Sequence, residues 1–453
     1  MKKGMSVLAG LCLVFVFLFN LNIASADSPT IVNSFQGKTY TGWYPPDTMG
    51  AVGPNHCVEM INGSFTVYNK TTGSVVQSMS LNSFWSGLYT NYTFDPRVVY
   101  DKYAGRWYAI SADNPRHANN ILFAYTDGSD PTGTWHKTAI DTDSTDTRWA
   151  DFPALGFDQN GVYISANMFA ISSGSTLTSV WAIPKVNGTP DTTHVNSLPS
   201  SSSYGYSLQP TCDYDPNDND RPYYLVSRYN SGALRLSEIT WSGTTATLSV
   251  GDTVYTTSRG APPNGHQPGS DDDIDTGDGR LVNAVVQNGK LWTARGVSIN
   301  GYAGAAYYEI DIPVSGSASL DSEQVLADVG SDLYYASIAV NESDDIGFGF
   351  THSSDSEYAS AYIAGVYEGT PLDMLQYKAG NATYVKRDGN NRNRWGDYSM
   401  TMVDPVNDNL FWSIQEYVDA ANQWGTYWVS FYVPEPVSFL LFVLPVLAMR
   451  RKK

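Results

Sequence analysis

The chain has 453 residues, with 27 lysines and arginines against 45 aspartates and glutamates and a net charge of −18. That length allows a large core, and a content of 16% charged and 13% aromatic residues excludes a disordered or coiled-coil chain. Six of the basic residues (Lys2, Lys3, Arg450, Arg451, Lys452 and Lys453) stand at the ends, so the body is more acidic still and repels phosphate backbones; nucleic acid is not an expected partner.

The chain opens on Lys2-Lys3, an apolar run from Val7 to Phe19 and Ala24-Ser25-Ala26. Basic, apolar and small-residue segments in that order predict a signal peptide over 1–26, with cleavage before Asp27 and export across the inner membrane. The run is short for a retained spanning helix.

From 27 to 432 no stretch keeps a helical apolar period. Short runs such as Val98-Tyr100, Trp107-Ile110, Val162-Ala166 and Tyr223-Val226 alternate with Gly, Asp and Asn turns and predict strands, so the fold class is all-β. One unit recurs: an apolar run, an acidic or amide turn, then an aromatic-rich run. Its turns fall at Gly53, Asp101, Asp158, Asp215, Gln287, Asn341 and Asp404, spaced by 48 to 72 residues. Units of that size suit four-stranded blades, and seven of them predict a seven-bladed β-propeller, with a six- or eight-bladed ring or a sandwich of unrelated strands as the alternatives. Cys57 and Cys212 lie in different units and are expected as separate buried thiols.

Arg148-Trp149-Ala150-Asp151-Phe152 returns as Arg394-Trp395-Gly396-Asp397-Tyr398, and Ser129-Asp130-Pro131-Thr132-Gly133-Thr134-Trp135 reads as a degenerate Asp-box. On these elements the body resembles uncharacterised secreted bacterial propellers of the sialidase-like repeat type. The resemblance implies that the Asp-box is a structural turn and assigns no catalytic residue.

Residues just before each inner strand of a propeller crowd one mouth of the central channel. Asp47, Asp95, Asp151 and Asp397 are placed there, with Arg97, Arg148 and Arg394 beside them and Trp43, Trp149 and Trp395 as stacking faces. Carboxylates, guanidinium groups and aromatic rings together suit a sugar or a uronic acid. The competing expectation is architectural: each Arg pairs with an Asp of the next blade and each Trp fills a gap between blades. A non-catalytic module associated with exopolysaccharide or envelope is favoured; the alternative is a glycoside hydrolase or lyase acting on acidic polysaccharide.

The run Asp271-Asp272-Asp273-Ile274-Asp275-Thr276-Gly277-Asp278-Gly279 offers oxygen ligands at Asp271, Asp273, Asp275 and Asp278 of the kind Ca2+ takes, without EF-hand spacing. Asp215 to Asp220 is a second candidate. The six histidines show no paired metal spacing.

The chain closes, over 433–453, on Pro434-Glu435-Pro436, thirteen mostly apolar residues from Val437 to Met449 and the cluster Arg450-Arg451-Lys452-Lys453. The three parts resemble the PEP-CTERM sorting signal of Gram-negative bacteria. The resemblance implies transient membrane anchoring, a basic end kept cytoplasmic, removal of the tail by an exosortase-type enzyme and delivery to the cell surface or extracellular matrix.

Overall fold

The structure, a computed structural model, describes residues 28–215 and 221–434. The signal peptide over 1–26, the spanning run Val437–Met449 and Glu435, Pro436, Arg450 and Arg451 of the sorting motif lie outside the described residues. Among those described, no helix is long and apolar enough to cross a membrane.

The described chain is built from antiparallel meanders. Thr93–Asp101, Arg106–Asp113, Asn120–Thr126 and Trp135–Asp141 form one, and the same up-and-down order recurs along the chain. The first strands of the meanders line the centre. Met49–Val52 lies against Thr93–Asp101, which lies against Arg148–Phe157; then follow Tyr206–Pro210, Leu281–Gln287, Asp332–Val340 and Met400–Val403, which returns to Met49–Val52. A closed β-propeller ring results. Its closure joins the two ends of the described chain, because Thr30–Thr39 pairs antiparallel with Gln423–Tyr432 as the outermost strand of the last sheet.

The hydrogen-bonded sheets differ from the separate units that the spacing predicts. Among the described residues six are present, one of them ten-stranded. The two-residue strand Cys212–Asp213 runs parallel to Phe157 on one side and to Val285 and Val286 on the other, which joins two meanders where the inner strands converge.

The recurring turn residues act on the backbone. Asp101 accepts from the Tyr103 and Ala104 N–H groups, Asp158 from those of Asn160 and Gly161, and Asp404 from those of Val406 and Asn407. Each is an Asx turn that closes the first hairpin of a meander. The Gln287 copy uses Asn288-Gly289 instead, both at positive φ (53° and 74°), the pair a tight hairpin favours. The same residues tie neighbouring meanders together: Lys185 Nζ lies 2.6 Å from Asp101, both side chains only 2% exposed, and Lys70 Nζ lies 2.6 Å from Asp404.

The Asp-box is a structural turn. Asp130 accepts from the N–H and hydroxyl of Thr132, and Trp135 caps the turn by donating to the Pro131 carbonyl at 2.8 Å. Cys57 and Cys212 are buried and unpaired.

Removing one member of a buried ion pair strands the other charge. Lys185→Met should therefore lower the unfolding free energy by about 3 kcal/mol, read by denaturant unfolding, while Lys102→Met at the more exposed pair with Glu342 should change it by less than about 1 kcal/mol.

Candidate functional site

Five inner strands begin with the same irregularity. In the Thr93–Asp101 strand the register passes from Phe94 opposite Ala112 to Arg97 opposite Ile110, so three steps on one strand answer two on the other. Arg148–Phe157, Tyr206–Pro210, Leu281–Gln287 and Asp332–Val340 repeat the shift. Asp95, Phe152, Ser207 and Tyr335 adopt left-handed φ of 50° to 52° at these bulges, as Asp47 does before its own strand. Pro96 and Pro153 follow two of them and have no N–H to lose from the ladder. The bulges turn side chains off the sheet faces into the mouth. They also correct a sequence equivalence: Asp47 and Asp95 hold the left-handed place, whereas Asp151 stands one residue before Phe152, which holds it.

A cavity of about 1000 Å³ opens at this mouth. Of the residues expected there, Asp47, Asp95, Trp149, Asp151, Arg394 and Asp397 line it, as does Trp43. Three others do not. Arg97 is buried beneath the floor, where its Nε donates to the Pro153 carbonyl at 2.9 Å and its guanidinium lies 3.4 Å from the centre of the Tyr398 ring. Arg148 donates to the carbonyls of Met168 and Ser175. Trp395 is buried, donates to Thr351 Oγ1 and packs edge-on against Tyr384. The two Arg-Trp-x-Asp-aromatic elements share a structural task at their aromatic ends, where Phe152 and Tyr398 meet at 5.2 Å over Arg97.

The four mouth carboxyls divide by environment. Asp47 and Asp95 are buried in contact with each other; Asn62 Nδ2 donates to Asp47 at 2.6 Å, and Asp95 accepts from the Phe152 N–H at 3.1 Å. Burial, with the Asp151 and Asp397 charges, pushes Asp95 up to about 7; burial and the Asp397 and Asp95 charges raise Asp47 well above the usual carboxylate range. Burial and the Asp397 charge push Asp151 up to about 6, and it has no ion-pair partner within 4 Å among the described residues. Burial alone would raise Asp397 too, but the Arg394 and Arg280 charges hold it at about 2. Arg394 grips it at two points, 2.7 and 3.2 Å.

The sequence reading missed Arg280, Arg392, Arg116, Tyr206, Tyr92 and Asn62, all in the lining. Arg392 and Arg394 belong to Lys386-Arg387-Asp388-Gly389-Asn390-Asn391-Arg392-Asn393-Arg394, a basic cluster within an acidic chain that composition alone marks out.

These arginines also change the reading of the acidic loop. Asp278 is held by Arg280 at 2.8 and 2.9 Å, Asp272 by Arg387, and Asp275 faces Arg392 and Arg394 at 3.6 and 3.8 Å. Asp273 is raised by burial, countered by the neighbouring His266. Asp271, Asp273, Asp275 and Asp278 therefore do not converge on a cation, and no group of three or more acidic, His or Cys side chains suited to a metal occurs among the described residues. The loop's Asp272, Asp275 and Asp278 instead face arginines. Of the second candidate, Asp215 accepts from the Asn288 and Gly289 N–H groups, and 216–220 lie outside the described residues.

No family model and no curated protein matches the chain. Solved structures do. Parainfluenza virus 5 hemagglutinin-neuraminidase is 11% identical over 80% of this chain and 96% of its own (TM-score 0.39). Trypanosoma rangeli sialidase is 11% identical over 87% of this chain and 58% of its own (TM-score 0.38). The endo-arabinase of Bacteroides thetaiotaomicron is 12% identical over 74% of this chain and 98% of its own (TM-score 0.34). At these identities the likeness is one of fold alone.

The carboxyl environments set a pH dependence. Between the ordinary aspartate value near 3.8 and about 7, the folded protein holds protons at Asp95 and Asp151 that the unfolded chain has released, so these groups make stability fall as pH rises through that window. Asp397 acts in the opposite sense, its contribution being lost only as pH falls from 3.8 through about 2. Asp95→Asn should flatten the fall in melting temperature between pH 5 and 8 and raise it at pH 8. Asp397→Asn, which strands Arg394, should cost about 2 kcal/mol at every pH above 5.

Proposed function

We propose that the mouth is a binding site for a carboxylated glycan. The observation that carries the reading is the set of guanidinium groups Arg116, Arg280, Arg392 and Arg394 beside the aromatic faces of Trp43, Tyr92, Phe94, Trp149, Phe169 and Tyr206 in one cavity of a strongly acidic chain. A guanidinium has five N–H donors, so Arg280 and Arg394 keep donors beyond those their aspartates take, and Arg116 is exposed with no ion pair among the described residues. Such donors hold a sugar carboxylate while aromatic rings cover an apolar sugar face. The finer architecture belongs to the same proposal: the ten-stranded sheet counts as two blades bridged by Cys212–Asp213, which makes seven blades around the site.

A second reading, hydrolysis or elimination, is favoured by one feature. Asp95 has a pKa of about 7 and a partner carboxyl in contact, a setting in which an acid can give up and regain a proton near neutrality. Binding is the primary reading because the guanidinium groups and rings of the lining account for it without any bond-breaking step. Export and sorting complete the proposal: the mature protein begins near Asp27 and lacks Val437 to Lys453, and it resides at the surface of a Gram-negative cell as an exopolysaccharide-associated module.

Titration calorimetry with uronate oligomers should show binding that dextran oligomers lack, and Arg116→Ala with Arg392→Ala should weaken it by at least about tenfold. Equal affinity for neutral and acidic oligomers would overturn the carboxylate reading. Reducing ends or unsaturated uronates released by the wild type, and lost in Asp95→Asn with binding retained, would establish the catalytic reading instead. Intact-mass measurement of the surface-released protein checks the processing, and a full tail on every molecule would refute it.

A further inference from the structure

The mouth does not end at its rim. A second cavity of about 260 Å³, lined by Tyr206, Arg228, Tyr229, Asn230, Asp278 and Arg280, shares Tyr206 and Arg280 with the first. The two form one groove. Its shared wall is held in place: the Arg280 guanidinium lies 4.4 Å from the centre of the Phe152 ring and 5.3 Å from that of Tyr206, while Asp278 grips its other edge. Arg228 Nη1 donates to the Asp278 carbonyl at 2.9 Å, which fixes the floor of the extension. Tyr229, 52% exposed, rests on the Arg235 guanidinium at 4.1 Å.

Exposed aromatic rings also stand across the mouth. Trp43 and Tyr44 are 43% and 40% exposed. Trp43 packs against Tyr92 at 5.3 Å and over Gly63, where a Cβ would come within 2.7 Å of its ring. Tyr44 donates to the Arg387 carbonyl. These rings precede the Met49–Val52 strand, whereas Tyr206 opens the Tyr206–Pro210 strand. Between the two strands lie Thr93–Asp101 and Arg148–Phe157 in one direction round the ring, and Leu281–Gln287, Asp332–Val340 and Met400–Val403 in the other. The two aromatic pairs therefore face each other over Asp95, Asp151, Asp397 and Arg394.

From this arrangement we infer that the groove takes an internal segment of an acidic polysaccharide, one sugar over the central carboxyls and further units running out over Tyr206 and Tyr229 on one side and Trp43 and Tyr44 on the other. The inference rests on the carboxylated-glycan reading above. Three features separate it from capture of a single terminal sugar. The main cavity already stands at the upper end of the range for small-ligand pockets. It continues past its rim instead of closing. The rings outside the central cluster are supported from behind and open to solvent, as a stacking platform for successive units requires.

The test is a chain-length series. Galacturonate and its oligomers up to the hexamer, and the corresponding mannuronate series, are titrated against the full chain and against Tyr229→Ala. The hexamer should bind at least about tenfold more tightly than the monomer, and Tyr229→Ala should remove at least about threefold of that gain while leaving monomer affinity unchanged. Equal affinity for monomer and hexamer would overturn the extended groove and leave the carboxylated-glycan reading intact, as would equal weakening of all lengths by Tyr229→Ala. Failure of every oligomer of both series to bind would overturn that reading and the groove with it. Tyr229 is exposed, so its truncation removes a contact surface without opening a core cavity, and an unchanged melting temperature checks this.

Discussion

One buried cation governs the centre of this propeller. Arg97 lies where the inner strands converge, and a charge taken out of water there is costly unless neighbouring groups replace the hydration. The Pro153 carbonyl and the faces of Tyr398 and Phe152 supply part of that replacement, and the Asp95, Asp47 and Asp397 charges add to it, although burial still holds Arg97 below the usual arginine range. Those requirements place Asp95 and Asp47 together at the floor of the mouth. Burial at that depth raises both carboxyls, and the Asp95 charge raises Asp47 further.

The same packing separates the chemistry of the mouth into layers. Met49, Phe152, Val282, Tyr398 and Met400 pack into one apolar cluster beneath the floor. Above it lies the carboxyl layer. Above that, the segments 271–280 and 386–397 carry arginines, each turned by an aspartate of its own neighbourhood: Arg280 by Asp278, Arg392 by Asp388, Arg394 by Asp397. Guanidinium groups preordered in this way lose little freedom when a ligand carboxylate arrives, which is where much of the cost of binding otherwise falls.

Sequence periodicity made the strands legible, and the Asx residues Asp101, Asp158 and Asp404 marked the first hairpins because a short carboxylate can cap its own turn. The mouth was partly legible for the same local reason, since Asp47, Asp95, Asp151 and Asp397 stand at strand entries. Their differing roles were not. A one-residue offset at a bulge decides that Asp95 meets Asp47 while Asp151 stands apart, and periodicity carries no information about bulges. Trp149 and Trp395 occupy matching positions in repeated elements, yet one lines the cavity and the other is buried against Tyr384, a difference set by the neighbouring sheet. The acidic run from Asp271 to Asp278 looked like a cation site because the partners of Asp272 and Asp275, namely Arg387, Arg392 and Arg394, are more than a hundred residues away in sequence.

The central claim is that the arginines around the mouth receive a sugar carboxylate above the Asp47 and Asp95 pair. A crystal structure of the complex with trigalacturonate tests it most directly. The account predicts one carboxylate within hydrogen-bonding distance of Arg116, Arg280, Arg392 or Arg394, with its sugar ring over Trp149 or Trp43. A ligand seated outside the mouth, or inside it with every carboxylate turned to solvent, would contradict the account.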